Sequence, residues 1–397
     1  MDTTPVRFDI DYVARAREIA PLIEAAAPRM EAARELTSDV VEALHAAGLF
    51  RMLLPRAYNG GELELPSFME VIEIVAAADG SVAWCLGQSA GCVTSAAYLE
   101  PKAAALIWSA PRNVMAWGPV TKGSTAVRVE GGYRLTGTTQ FLSGVHHATW
   151  VGCRLAATDP DGTPCLGADG KPEGIREFLM PRADVTLQPA WDVAGLRATG
   201  SDSFTLTDYF VPADHTFLVD NPIDRKHDGL PYRFTANQIF SIAFSCVGLG
   251  LARAILDAFA ELAGRKHAQH WGTAMSASNL VQYQYAVHEA ELRAARTYLF
   301  ASVREAWDTV AGGATEPTRE QKLDIRLAAS HASQAARKVV DFAYQSAGAT
   351  AIFAANPFER RFRDMHAVSQ QIQASAAQFT NAGQILFGLP PDNPKTI

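Results

Sequence analysis

The sequence contains no Cys-x-x-Cys pair; its five cysteines (Cys85, Cys92, Cys153, Cys165 and Cys246) are scattered and odd in number. That excludes a self-contained disulfide framework and reads as reduced, core-packed thiols of a cytoplasmic protein. No uninterrupted apolar stretch reaches the roughly 18 residues of a membrane-spanning helix, and residues 1–20 hold no apolar core of signal-peptide length. A basic face is also missing: charged residues make up 19% of the chain, with a net charge of −7, which argues against binding to nucleic-acid phosphates. There is no G-x-G-x-x-G between a strand and a helix, no G-x-x-x-x-G-K-[ST], no H-E-x-x-H and no G-x-S-x-G. A dinucleotide-binding α/β domain, a P-loop, a zincin and a nucleophile elbow are therefore not expected. His267 and His270 stand at i, i+3 without a nearby Asp, Glu or Cys, so no metal is expected there.

What is present is an ordinary globular composition, 48% hydrophobic over 397 residues, too long for one core. Three textures succeed one another. Residues 1–110 read as helical: 11–34 carry apolar residues at helical spacing, Ser38 or Asp39 offers a cap, Gly48 a stop, Pro66-Ser67 a start, and Ser81–Leu99 a helix buried on most sides. Residues 111–222 hold short β-rich runs (Ala126–Glu130, Gly132–Thr136, Ala148–Leu155, Ile175–Met180, Phe204–Val211) between turn signals, which predicts a compact antiparallel barrel or sandwich. Residues 223–397 predict a four-helix bundle with helices over Ile239–Leu262, Leu280–Val310, Glu320–Ala347 (capped by Thr318, stopped by Gly348) and about 363–388. The expected fold is thus mainly α with a central antiparallel β domain.

The chemistry sits in two β segments, GGYRLTGTTQFLSGVHHATWV at 131–151 and WDVAGLRATGSDSFTLTDYFVPA at 191–213. Of the adjacent His146 and His147 at a strand start, one is expected to face inward and one outward. These segments, in their helix–β–helix setting, resemble the acyl-CoA dehydrogenase superfamily over nearly the whole chain. "GRKHAQHWG" at 264–272 and "YQSAGA" at 344–349 are similar to its subunit-interface motifs. The resemblance implies a flavin (reduced FMN or FAD) between three domains, and a homotetramer. Walls for a flat apolar ring would come from Trp117, Phe141 and Trp191. Polar edges would be met by Ser143, Gly144, Thr199 and Ser201, and phosphate and interface contacts by Arg265, Trp271 and Gln345.

An absence argues against one branch of the superfamily. An acyl-CoA dehydrogenase needs a Glu base, yet no Glu follows Glu359 and none lies in the helix start Asn237–Ser245. "GSVAWCLGQSAG" at 80–91 and the C-terminal "RFRDMHAVSQQIQASAAQFTNAGQILFG" instead resemble the oxygenase components of two-component flavin monooxygenases. That implies reduced flavin supplied by a separate reductase, O₂, and oxygen transfer through a C4a-hydroperoxyflavin that Ser143 would stabilise. The expected substrate is a small aromatic, heteroaromatic (indole-like) or heteroatom compound. Trp84, Gln88, His146, His366 and Gln371 are the expected substrate contacts. Gln371 stands where phenol-hydroxylating members carry a His; an amide takes no proton near neutral pH, which favours a substrate that is already electron-rich. On one continuous helix His366 would point about 140° away from Gln371. The alternatives are an acyl-CoA dehydrogenase-like flavoenzyme with an unusual base, and a non-catalytic flavin-fold scaffold.

Overall fold

A computed structural model describes residues 10–167, 170–221, 224–267 and 273–393. Five helices come first: α1 (Tyr12–Ala33), α2 (Ser38–Ala46), α3 (Leu65–Ala78), α4 (Gly80–Val93) and α5 (Pro101–Trp108). Thr37, not Ser38 or Asp39, is the N-cap residue of α2. Asp79 ends α3 and starts α4; its carboxylate accepts the N–H groups of Ser81 and Val82, satisfying two donors that a helix start leaves open. Every residue of α4 is buried except Trp84, which is half-buried. Gly91 makes this possible: a Cβ there would stand 2.2 Å from the Phe240 ring, so only glycine admits so close an approach.

The β region forms two four-stranded sheets. One has the order β1 (Met115–Pro119), β4 (Trp150–Leu155), β5 (Arg176–Pro181), β8 (Thr216–Leu218); the other β2 (Thr125–Val129), β3 (Gly132–Thr139), β7 (Ser203–Pro212), β6 (Leu187–Gln188). All pairings between strands are antiparallel except β1 with β4, which is parallel. The β2–β3 hairpin lies between β1 and β4 in the chain and gives the length a parallel return requires. Strand alternation divides the first sheet. Ala116, Val151, Cys153, Phe178 and Met180 pack into the β core. Trp117, Leu179 and Phe217 join the helical core instead. The sheet thereby becomes a wall between two cores.

The C-terminal helices are α6 (Ala236–Arg265), α7 (Asn279–Ala311), α8 (Arg319–Ala347), α9 (Glu359–Val368) and α10 (Ala377–Leu386). Capping boxes start α6 (Thr235 with Gln238) and α8 (Thr318 with Gln321), and Gly348, at φ 60°, ends α8. α6 is long and apolar enough to cross a membrane, but 89% of its most apolar window is buried by the surrounding fold. The expected continuous last helix is broken between α9 and α10. There Ser369 Oγ and Gln370 Nε2 donate to the His366 carbonyl, side-chain competition that ends helices. Gln371 therefore sits in a turn, and the helical angle separating it from His366 does not apply.

Candidate active site

Two turns meet over α4. The first follows β3: Phe141 adopts φ 59°, Gly144 φ 80°, and the Gly144 N–H donates to the Thr199 carbonyl at 2.8 Å. The second, residues 196–202, precedes β7, and Leu196 also lies in the left-handed region at φ 52°. Between them runs a chain of hydroxyls. Thr199 Oγ1 donates to the Leu196 carbonyl (2.9 Å) and lies 2.6 Å from Ser201 Oγ, which lies 2.8 Å from Ser143 Oγ. Trp84 Nε1, a donor only, points at Ser143 Oγ from 3.0 Å. These ends fix the direction. Since Thr199 donates to a carbonyl, it accepts from Ser201, Ser201 accepts from Ser143, and Ser143 accepts from Trp84. The Ser143 proton is thus committed inside the chain, and its oxygen keeps one free lone pair.

Around this chain the side chains are sorted by polarity. Trp84 lies flat on Phe244, with ring centroids 3.8 Å apart. Gln88, one turn along α4, donates to the Trp117 carbonyl at 2.8 Å. Phe141 is 58% exposed despite its apolar ring and meets Trp191 edge-on at 6.1 Å. A half-turned aromatic with strained backbone and an open face is a ready wall for a flat ligand. His146 and His147 lie in the turn rather than at a strand start. His146 bridges Asp202 (2.9 Å) and Glu35 (3.0 Å). His147 is half-buried with its Nε2 shut off from solvent, and desolvation lowers its pKa to about 3, so it stays neutral.

The remaining expected residues are dispersed. Gln371 is buried after α9, and neither its Nε2 nor its Oε1 has a partner among the described residues. His366 bonds Asp341 at 2.9 Å and packs on Phe362, so it is engaged within the bundle. Arg265, at the end of α6, is exposed and paired with Glu261; Gln345 is exposed near the end of α8. Lys266 ties those two helix ends together by donating to the Ala347 carbonyl. Within the single chain Arg265 and Gln345 do not meet the hydroxyl chain in any hydrogen bond among the described residues. Trp271 and His270 lie outside the described residues.

Sequence reasoning missed a buried acid pair behind the second turn. Asp364 on α9 accepts the Leu196 N–H at 2.6 Å, and Asp79 lies close enough to raise its pKa further after burial has done most of the work, up to about 7. Burial likewise pushes Asp79 up, against the nearby Arg360 and Arg361. Nothing local in the sequence marks a contact that spans so many residues.

Residues 14–100 match the acyl-CoA dehydrogenase N-terminal domain family and residues 242–376 its C-terminal domain family. The chain is 30% identical over 364 residues to an indole-3-acetate monooxygenase of Pseudomonas putida, covering 90% of this chain and 89% of the relative. It is 26% identical to the oxygenase subunit HsaA of a flavin-dependent monooxygenase from Rhodococcus jostii, covering 89% and 92%. Its fold matches that of XiaF from Streptomyces sp., solved with FADH2 and glycerol, with a TM-score of 0.87, 23% identity and coverage of 96% of both chains. The two sequence relatives are oxygenases by name, which displaces the dehydrogenase and scaffold alternatives. The chain belongs to the acyl-CoA dehydrogenase family, in its branch of oxygenase components of flavin-dependent monooxygenases.

Proposed function

We propose that this protein takes reduced FMN or FAD from a separate flavin reductase and, with O₂, oxygenates a small indole-like aromatic, with the ring system of the flavin lying against Phe141 and the Ser143 turn. The observation that carries this reading is the directed hydroxyl chain. Ser143 has spent its proton on Ser201 and offers a lone pair, which suits a ligand presenting an N–H, as a reduced flavin does at N5. When bound, reduced flavin supplies the electron pair that activates O₂. The protein's own part is to hold the ring, satisfy its edge and keep water out. Trp84, Gln88, His146 and Gln371 are assigned to the substrate side, Gln371 because a buried amide without a partner is costly unless a ligand completes it. His366, already bonded to Asp341, is left out.

We assign Arg265, Gln345 and Trp271 to flavin contacts across a homotetramer. In support, Leu280, Tyr283 and Val287 stand exposed at i, i+3 and i+7 on α7, one face of a helix left open among the described residues. Five free, buried cysteines fit a reducing cytoplasm.

The test is stopped-flow absorbance. Reduced FMN or FAD bound to the protein and mixed with aerated buffer should show a lag before the oxidised-flavin colour returns. With indole-3-acetate present, an oxygenated product should form. Colour returning as fast as in free flavin, with no product from any indole or phenol tried, sinks the reading.

A further inference from the structure

The aromatic wall that begins at Trp84 continues well past Ser143. Phe244 stacks on Phe240 at 5.7 Å, and Phe240 meets Trp117 edge-on at 6.3 Å. On α4, Trp84 holds Ser143 and Gln88 holds Trp117, so the two anchor points stand ~6 Å apart along the helix, comparable with the length of a fused bicyclic ring.

At the Trp117 end the sheet brings three polar side chains onto its helix-facing side. Trp117 stands opposite Gly152, and Arg154 opposite Glu177. The Arg154 guanidinium lies 4.5 Å from the Trp117 ring and 5.8 Å from the Phe240 ring, and its Nε donates to Glu177 Oε2 at 2.6 Å. Three buried polar atoms are left without partners: Arg154 Nη2, Trp117 Nε1 and Glu177 Oε1. Buried orphans of this kind are rare, and three on one sheet face ask for a ligand. The Arg154 side chain keeps 24% of its surface open, while that of Glu177 has none.

Donors outnumber acceptors here, which selects an acceptor-rich group, and a guanidinium fork matches a carboxylate. We propose that Arg154, backed by Trp117 and Glu177, receives a carboxylate carried by the aromatic substrate, so that this oxygenase takes aromatic acids in preference to neutral rings. That the bound acid is the substrate rests on the oxygenase reading above; the carboxylate site itself does not.

Glu177 then has a part in the binding. Burial raises its carboxyl to about 7 even though Arg154 opposes the shift. The other titratable groups facing it are Cys92 on α4 and Cys153 on β4, both neutral because burial pushes their thiols up; β8 offers only Phe217. With Oε2 accepting from Arg154, a proton on Glu177 sits on Oε1 and turns the last acceptor into a donor. Binding of a carboxylate therefore takes up a proton, and affinity falls as pH rises through neutrality.

Calorimetric titration of the flavin-free protein with indole-3-acetate and with indole-3-acetamide tests this. The acid should bind about tenfold more tightly than the amide below neutral pH, the usual worth of a charge-assisted bond, and lose that advantage on the alkaline side. Arg154→Met, which keeps an apolar stem over Trp117, should abolish the preference. Glu177→Gln should make acid binding independent of pH. Should Arg154→Met fail to fold, the pH series on the unaltered protein decides alone. Equal binding of acid and amide by the unaltered protein, a flat pH series, or a preference that survives in folded Arg154→Met overturns the proposal. Because no flavin is used, an acid preference without a flavin lag would remove only the oxygenase reading, and a lag without the preference only this one.

Discussion

Ser143 and Gln371 carry opposite kinds of information. Ser143 is committed within the protein in all but one lone pair: it accepts from Trp84 and donates to Ser201. Ser143→Ala leaves a Trp84 N–H and one end of the hydroxyl chain unmet, at a cost of ~1–3 kcal/mol. We expect a modest drop in Tm by calorimetry and a much larger shortening of the flavin lag; an unchanged lag removes Ser143 from the flavin edge. Gln371 is uncommitted, with both amide atoms buried and unpartnered. Gln371→Leu relieves that desolvation and should stabilise the ligand-free protein by ~1 kcal/mol, while lowering product yield. A variant that is both less stable and fully active would place Gln371 in the packing instead of the site.

At the scale of elements, α9 holds the second turn. Asp364 accepts the Leu196 N–H, and the Leu196 carbonyl in turn accepts from Thr199 Oγ1 and from Trp191 Nε1. One helix thus sets both the end of the hydroxyl chain and one aromatic wall. The pH dependence follows in sign. The folded Asp364 carboxyl lies near 7, above an ordinary unfolded value of ~3.9, so the native state binds more protons between those limits. Its contribution to stability is largest below that window and is lost as pH rises through neutrality. Asp364→Asn keeps an acceptor for Leu196 and cannot ionise. Its Tm-versus-pH curve should be flatter than that of the unaltered protein between about pH 5 and 8. Parallel curves would show that the acid pair does not titrate with folding. Asp364→Ala removes the acceptor itself and should lose Tm at every pH. α4 is equally constrained: Gly91→Ala would drive a methyl into the Phe240 ring, and overpacking of this kind costs ~1–3 kcal/mol by chemical denaturation.

For the whole molecule, the exposed apolar faces set the expectation. Leu280 and Tyr283 on α7 and Phe387 beyond α10 are among the most exposed large apolar side chains. Light scattering should give four times the 42.8 kDa chain mass. Tyr283→Glu should lower the assembly state and weaken flavin affinity together, because Arg265 and Gln345 are assigned to a neighbouring subunit's flavin. A monomer that binds flavin as tightly as the unaltered protein would overturn that assignment.

The same scales separate what was legible in the sequence. Helix, β and helix textures come from local periodicity and turn chemistry, so the long helices, the Thr318 cap and the Gly348 stop were readable directly. The Ser143 and Thr199-x-Ser201 turns were readable because their segments resemble a known family, and the absence of a Glu base argued against the dehydrogenase branch without any geometry. Short or compensated elements were not: β1, with Trp117 at its centre, pairs in parallel with a strand beyond a hairpin, and the break between α9 and α10 depends on side-chain bonds to one carbonyl. Local spacing therefore determined by itself most of the elements, while the family branch and the two turns at the site were read from resemblance to a known family. Only the tertiary structure decided the direction of the hydroxyl chain, the grip of Asp364 on Leu196 and the Arg154–Glu177–Trp117 cluster. Each of these joins residues far apart in the chain, where hydrogen-bond geometry and burial, not sequence spacing, set which atoms meet and which are left unpaired.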